Sequence, residues 1–306
     1  MKPRLTLKQL HYLVAVADER HFGRAATACA ISQPSLSAQI QGLEEVLGVT
    51  IFERSNRRVE VTPTGDILVA QARRVLAEAE ALVAAAREAA APLSGAFRLA
   101  AIPTLAPYLL PRILPALRQA HPELRLYLRE DLTDRLLDRL EQGALDAALI
   151  ALPAGRPDID ALALFDEPFL LATPPDHPLA AGSAPVDRGV LAAEHLLLLE
   201  DGHCLRDQAL ELCRLAGAAD QDRFGATSLE TLREMVAGGL GVTVIPALAA
   251  ARMAQDRAIA LSRFAEPPPS RRIGLAWRRT AARGGDIRAL GAFLRERIPV
   301  DATAAN

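Results

Sequence analysis

Two of the three cysteines of this chain, Cys204 and Cys213, stand nine positions apart, with His203 and Arg206 beside the first. The thiolate is the form of cysteine that attacks a peroxide O–O bond, giving a sulfenic acid with which a second thiol condenses to a disulfide. His203 and Arg206 favour the thiolate of Cys204, whereas Glu200, Asp201 and Asp207 oppose it, so local charge leaves its reactivity open. The spacing says more. On a continuous helix it separates the two Cα atoms by about 13.5 Å at about 1.5 Å per residue, and a disulfide needs about 4.4 to 6.8 Å. Either the segment is a loop or forming the bond must unwind it, and the second case couples chemistry to shape, as a redox switch requires. Taken as an isolated pair, two such cysteines would ordinarily be small buried thiols. The third, Cys29, is most simply a core residue.

A second group of residues suits recognition. Gln33, Ser35, Ser37 and Gln39 present donors and acceptors along the start of one helix, the kind of surface that reads base edges in a major groove. Arg54, Arg57 and Arg58 follow as a local basic patch suited to phosphate or minor-groove contact. Either group alone fits a solvated face; the patch placed directly after the helix favours DNA.

The elements that position these residues follow from periodicity. Leu36, Ile40, Leu43 and Leu47 make one buried helical stripe, with Ser32 placed to cap its start, Pro34 in its first turn and Gly48 at its end. A shorter alanine-rich helix, Phe22 to Ala30, precedes it across a brief Ile31-Ser32 turn, which is a helix-turn-helix layout. The stretch from Ile51 to Thr64 reads as a wing. Leu68, Ala72, Val75, Ala79, Leu82 and Ala86 then alternate spacings of four and three, the period of supercoiling helices, and predict a dimerising helix; the alternative is a surface helix packed on its own domain.

After Pro92-Leu93-Ser94-Gly95, a natural linker, short apolar strands alternate with helical stretches. Candidate strands are Phe97 to Ala101, Leu124 to Leu128, Asp146 to Ala151, Phe169 to Thr173, Leu196 to Leu199, Val242 to Ile245 and Ile273 to Trp277. The rhythm predicts parallel α/β sheets. With 306 residues, half of them hydrophobic, the chain can bury two or three cores. A net charge of −2 means that any DNA contact is local. Three scattered cysteines give neither a disulfide framework nor a structural zinc site. No apolar run reaches the roughly 18 residues of a membrane span, and residues 1–8 lack a secretory signal, so the expected compartment is the cytoplasm.

Several runs match a known family in order and spacing: Leu10-His11-Tyr12-Leu13, Arg24-Ala25-Ala26, Ile31-Ser32-Gln33-Pro34-Ser35-Leu36-Ser37, Leu43-Glu44 with Leu47-Gly48, Phe52-Glu53-Arg54 and Thr62-Pro63-Thr64-Gly65. This end resembles the amino-terminal domain of LysR-type regulators. The segment Leu199 to Ala209, ending at Cys213, narrows the likeness to the hydrogen-peroxide-sensing branch. Ile102-Pro103-Thr104, Pro107 to Pro111, Leu164 to Pro168 and Ala226 to Arg233 extend it over nearly the whole chain.

The resemblance implies an all-α winged helix-turn-helix domain over residues 1–65 and a dimerising linker helix over 66–92. It further implies a two-lobed α/β regulatory domain over 95–306, similar to periplasmic binding proteins, with lobe I at about 95–165 and 270–300 and lobe II at about 166–269. It makes Cys204 the peroxidatic and Cys213 the resolving cysteine of a reversible disulfide. Carried over position by position, Thr104, Thr133, His203 and Arg271 line the peroxide pocket as hydroxyl, imidazole and guanidinium donors. The run Ser270-Arg271-Arg272-Ile273 sets a second arginine beside the first, and the sequence does not choose between them. Gln33, Pro34, Ser35, Ser37, Gln39, Arg54, Arg57 and Arg58 become the DNA-contacting set.

Implied partners are a double-stranded DNA operator, hydrogen peroxide, RNA polymerase, glutaredoxin or thioredoxin as reductant, and three further copies in a dimer of dimers. No cofactor, metal, membrane or enzymatic activity is implied. Two other readings remain. A related regulator sensing a small metabolite between its lobes would keep its DNA response after mutation of Cys204. A thiol peroxidase would turn peroxide over continuously. A nucleotide-dependent oxidoreductase is disfavoured, because Gly238-Gly239-Leu240-Gly241 precedes a strand instead of following one.

Overall fold

Thr6 begins the first helix with a reciprocal cap, its side chain accepting from the Gln9 N–H while Gln9 reaches back to the Thr6 backbone. The computed structural model describes residues 5–54, 59–88, 93–180, 184–215, 225–254 and 257–298. The chain divides into two units, Met1–Ala89 with Gln142–Ala144, and Ala90–Glu141 with Leu145–Asn306.

The first unit contains α1 (Leu7–Glu19), α2 (Phe22–Ala28), α3 (Gln33–Leu47), the antiparallel pair β1 (Phe52–Arg54) and β2 (Val59–Val61), and α4 (Pro63–Glu88). Ser32 caps α3 by accepting from the Ser35 N–H, Pro34 lies in its first turn, and Gly48 ends it at φ 71°. Leu36, Ile40 and Leu43 are fully buried against Leu13, Val16, Ala25 and Ile51, and Leu47 packs at the margin. The second helix stops at Ala28, two residues short of the expected Ala30, because Ala30 turns into the left-handed region. Glu44 ties α3 to the wing, its Oε1 accepting from the Ile51 and Phe52 N–H groups at 2.7 and 3.1 Å. The Thr62 to Gly65 run has its own reason. Thr62 Oγ1 caps the Gly65 N–H, and a Cβ at Gly65 would collide with the Ile51 carbonyl.

Along α4 the apolar stripe divides into a packed part and an exposed part. Ala72 is buried and Leu68 half-buried against their own domain, whereas Val75 and Leu82 are 45% and 75% exposed. The side chain of Ala86 lies outside the described residues, as do Arg57, Arg58 and Pro92.

The second unit runs β3 (Gly95–Ala101), α5 (Ala106–Ala120), β4 (Leu124–Glu130), α6 (Thr133–Glu141), β5 (Ala147–Leu152) and β6 (Ile159–Thr173). It continues with β7 (Leu198–Leu199), α7 (Cys204–Leu215), β8 (Gly225–Ala226), α8 (Leu229–Ala237), β9 (Thr243–Pro246), α9 (Ala247–Met253), β10 (Ala260–Arg263), β11 (Ser270–Arg278) and α10 (Gly284–Arg297). The main sheet has the order β10-β6-β11-β5-β3-β4, with β9 also on β6.

The expectation of parallel sheets needs correction. Strands β4, β3 and β5 are parallel, joined by α5 and α6 as crossovers, and β7 is parallel to β8. Strand β11, however, runs antiparallel to both β5 and β6, and β9 and β10 run antiparallel to β6. Strands β5 and β6 therefore run in the same direction with β11 inserted between them, and the six residues that join them form no helix.

Strand β6 is also three times the length expected from Phe169 to Thr173. Its first part, to Pro168, pairs with β11 and its remainder with β9 and β10, so one strand serves both lobes. Amphipathic helices cover the sheet, Leu109, Ile113 and Leu117 of α5 and Ile287, Leu290 and Leu294 of α10 being buried in one continuous core.

Candidate functional site

Three chain segments distant in sequence converge at the carboxyl end of β3. Thr104 follows β3 across Ile102 and Pro103 and is 2% exposed; Thr133 opens α6; and Gly202, His203 and Cys204 form the entry to α7. With Ile102, Pro103 and Leu132 they line a narrow, partly open cleft.

Arg271, on β11, is not among the residues lining the cleft and is joined to it through Thr104. Strand alternation decides between the two arginines: Arg271 is 3% exposed, while Arg272 points outward and pairs with Asp166 at 2.7 and 3.1 Å. Arg271 donates from Nη1 to Thr104 Oγ1 at 2.7 Å, from Nη2 to the Thr104 carbonyl at 3.0 Å, and from Nε to Glu167 Oε2 at 2.8 Å. Glu167 is the ladder partner of Arg271 in the β6–β11 pair. Its other oxygen accepts the Leu248 N–H at 2.9 Å.

Cys204 is the first residue of α7, its thiol at the cleft wall. Burial pushes its pKa up; the Arg271 guanidinium, the Thr133 hydroxyl and the Leu205 N–H push it down, and Asp207 adds to the rise. The resting thiol is therefore protonated, and ionisation depends on groups brought from β11 and α6. The neighbours expected to lower it act elsewhere. Arg206 is committed to Asp201 at 2.8 Å and to the Leu199 carbonyl at 3.0 Å. Burial, partly offset by Glu200, holds His203 below the usual imidazole range, so near neutral pH it offers a neutral ring. Thr133 Oγ1 is buried without a hydrogen-bond partner of ordinary geometry.

Cys213 lies on the same unbroken helix and is buried, and no disulfide joins cysteines among the described residues. Nine residues of helix separate the two thiol-bearing positions by about 13.5 Å. Cys29 sits at the end of α2, its thiol shifted upward by burial.

Two groups escaped sequence reasoning. Glu167 stands in an apolar strand, and an acid in that setting is a usable signal of a buried partner. Gln208, one helical turn beyond Cys204, buries Oε1 without a hydrogen-bond partner, which nothing in its local sequence announces.

In the first unit Gln33, Pro34, Ser35 and Gln39 are exposed along the first turns of α3, and Ser37 is half-buried. The backbone of Arg54 ends β1, with its side chain outside the described residues, as are Arg57 and Arg58.

Residues 7–66 match the pattern described as the bacterial regulatory helix-turn-helix protein, lysR family, and residues 90–299 match the LysR substrate binding domain. A curated relative from Streptomyces viridosporus, named a probable hydrogen peroxide-inducible genes activator, is 46% identical over 95% of this chain and 94% of its own length. Full-length OxyR from Pseudomonas aeruginosa, solved as a cysteine-to-aspartate variant, superposes with a TM-score of 0.80 at 40% identity, covering 95% of each chain. Corynebacterium glutamicum OxyR, a cysteine-to-serine mutant with H2O2 bound, gives a TM-score of 0.67 at 36% identity, covering 99% of this chain and 96% of that one. The paired domains, the cysteine-bearing helix at the cleft and these likenesses together establish that the chain belongs to the LysR family of bacterial regulators, in its OxyR branch.

Proposed function

We propose that this chain is a hydrogen-peroxide-responsive, DNA-binding transcriptional regulator switched by a reversible disulfide between Cys204 and Cys213. The observation that carries the proposal is one thiol in a cleft with Thr104, Thr133 and His203, with Arg271 bonded to Thr104 behind it, while its partner thiol stays out of reach on the same helix. In the first step the Cys204 thiolate attacks one oxygen of H2O2, the O–O bond breaks, and the departing hydroxide takes a proton and leaves as water. Hydroxyl, imidazole and guanidinium donors meet the charge that develops on the leaving oxygen. In the second step the Cys213 thiol condenses with the Cys204 sulfenic acid, releasing a second water. Two thiols and one peroxide thus become one disulfide and two waters.

The second step cannot occur on an intact helix, since about 13.5 Å must shrink to less than about 7 Å. Unwinding α7 is the change of shape that the DNA-binding end reads. Gln33, Pro34, Ser35, Ser37 and Gln39 address base edges, and Arg54, Arg57 and Arg58 the backbone. The domain limits, the tetramer, contact with RNA polymerase, reduction by glutaredoxin or thioredoxin and a cytoplasmic setting belong to the same proposal.

The narrowness of the cleft argues against metabolite sensing at this point, because small-molecule pockets begin at roughly 300 Å³. The test is to add near-stoichiometric peroxide to the reduced protein, block free thiols, and map disulfides by mass spectrometry with Cys204→Ser in parallel. An intramolecular Cys204–Cys213 bond absent from the mutant is expected. Two thiols that stay reduced would leave only a DNA-binding regulator of another signal, and sustained turnover with a thiol reductant would make it a peroxidase.

A further inference from the structure

Glu167 touches neither the cleft nor Cys204, yet both of its oxygens are engaged and its side chain is fully buried. Burying an ion pair this completely seldom stabilises a fold relative to an apolar pair of the same volume. The pair therefore invites a reason other than stability, and its geometry supplies one. The guanidinium of Arg271 commits three N–H groups in one plane: two grip Thr104, at its hydroxyl and its carbonyl, and the third is held by Glu167. Glu167 is itself fixed by the Leu248 N–H.

A threonine hydroxyl has one proton to give. Because Thr104 Oγ1 accepts from Arg271, its own proton is left to be donated away from the arginine, and Thr104 lines the cleft. The plane of Arg271 decides that orientation, and the Nε contact decides the plane.

We infer that Glu167 is a positioning residue for the peroxide reaction, locking Arg271 so that Thr104 presents its hydroxyl proton to the peroxide. The inference rests on the reading of Cys204 as the peroxide-reactive thiol. Glutamine at this position keeps the shape but not the function of a double acceptor: its carbonyl can serve Arg271 Nε or the Leu248 N–H, and its amide N–H2 confronts the other donor.

The test compares wild type, Glu167→Gln, Arg271→Met and the double variant, each shown to be folded by circular dichroism. Two rates are measured for Cys204, oxidation by hydrogen peroxide and alkylation by iodoacetamide. Alkylation reports thiolate content and access without needing a donor for a leaving hydroxide. Glu167→Gln is expected to slow peroxide oxidation by between about 10- and 100-fold, and to slow it more than alkylation. In the Arg271→Met background it should change peroxide oxidation by less than about twofold, because partners in one network do not act independently.

Should Glu167→Gln alone not fold, the double variant, which removes both charges, is compared with Arg271→Met, and equal peroxide rates support the inference. Peroxide oxidation at the wild-type rate in Glu167→Gln, equal slowing of both reactions, or effects that multiply in the double variant would overturn it. A wild-type thiol indifferent to peroxide overturns the functional reading and the inference together.

Discussion

Replacing Thr133 by valine should stabilise the protein while weakening its chemistry. Thr133 Oγ1 is buried and has no hydrogen-bond partner of ordinary geometry, yet the hydroxyl lies where it favours the Cys204 thiolate. A buried hydroxyl left unsatisfied costs about 1–3 kcal/mol relative to hydration, and valine has nearly the same shape without that group. The fold should therefore gain on the order of 1 kcal/mol. The reaction should lose one donor aimed at developing charge, which corresponds to a slowing of between about 10- and 100-fold, or about 1.4 to 2.7 kcal/mol in the barrier. Removing the hydroxyl also lets the Cys204 pKa rise further, so the pH–rate curve should move to higher pH.

Urea denaturation gives the stability, and stopped-flow loss of the free thiol under excess peroxide gives the rate. A groove residue whose removal costs stability and leaves the rate alone is a structural residue; a variant destabilised by more than about 1 kcal/mol at an unchanged peroxide rate would refute the reasoning.

Two further outcomes follow from the same site. Since burial depresses the pKa of His203, the unfolded chain binds more protons than the native one between the depressed value and the ordinary value of about 6.5, so stability is full above that window and is lost as the pH falls through it; melting at pH 5 and pH 7.5 should show a larger drop for wild type than for His203→Gln, and identical drops would count against a buried neutral imidazole. Disulfide formation should strip hydrogen-exchange protection from the amides of α7 while those of α5 and α10 keep theirs; a bonded pair with α7 still protected would show that the helix does not unwind.

Much of this was legible in the sequence because it is local. The cap at Ser32, the stripe Leu36, Ile40 and Leu43 and the stop at Gly48 each depend on residues within a turn or two, so spacing alone located α3. The same held for the strands of the regulatory unit, although β6 outran its expected length because the sequence alternation breaks where the strand changes partners near Pro168.

The cysteine spacing set a geometric dilemma, loop or unwinding helix, that only the continuous α7 resolved. Of the thiol's electrostatics only the opposition of Asp207 was legible. Sequence neighbours suggested His203 and Arg206 as support, whereas the positive charge that acts on Cys204 comes from Arg271, sixty-seven residues away along the chain. The choice between Arg271 and Arg272 likewise needed the register of β11 against β6, which turns one guanidinium into the protein and its neighbour into water. Propensity and periodicity act over a few residues and are written in the sequence. A field at a buried atom depends on which distant groups packing has brought within a few ångströms, and that was settled only when the strands had found their partners.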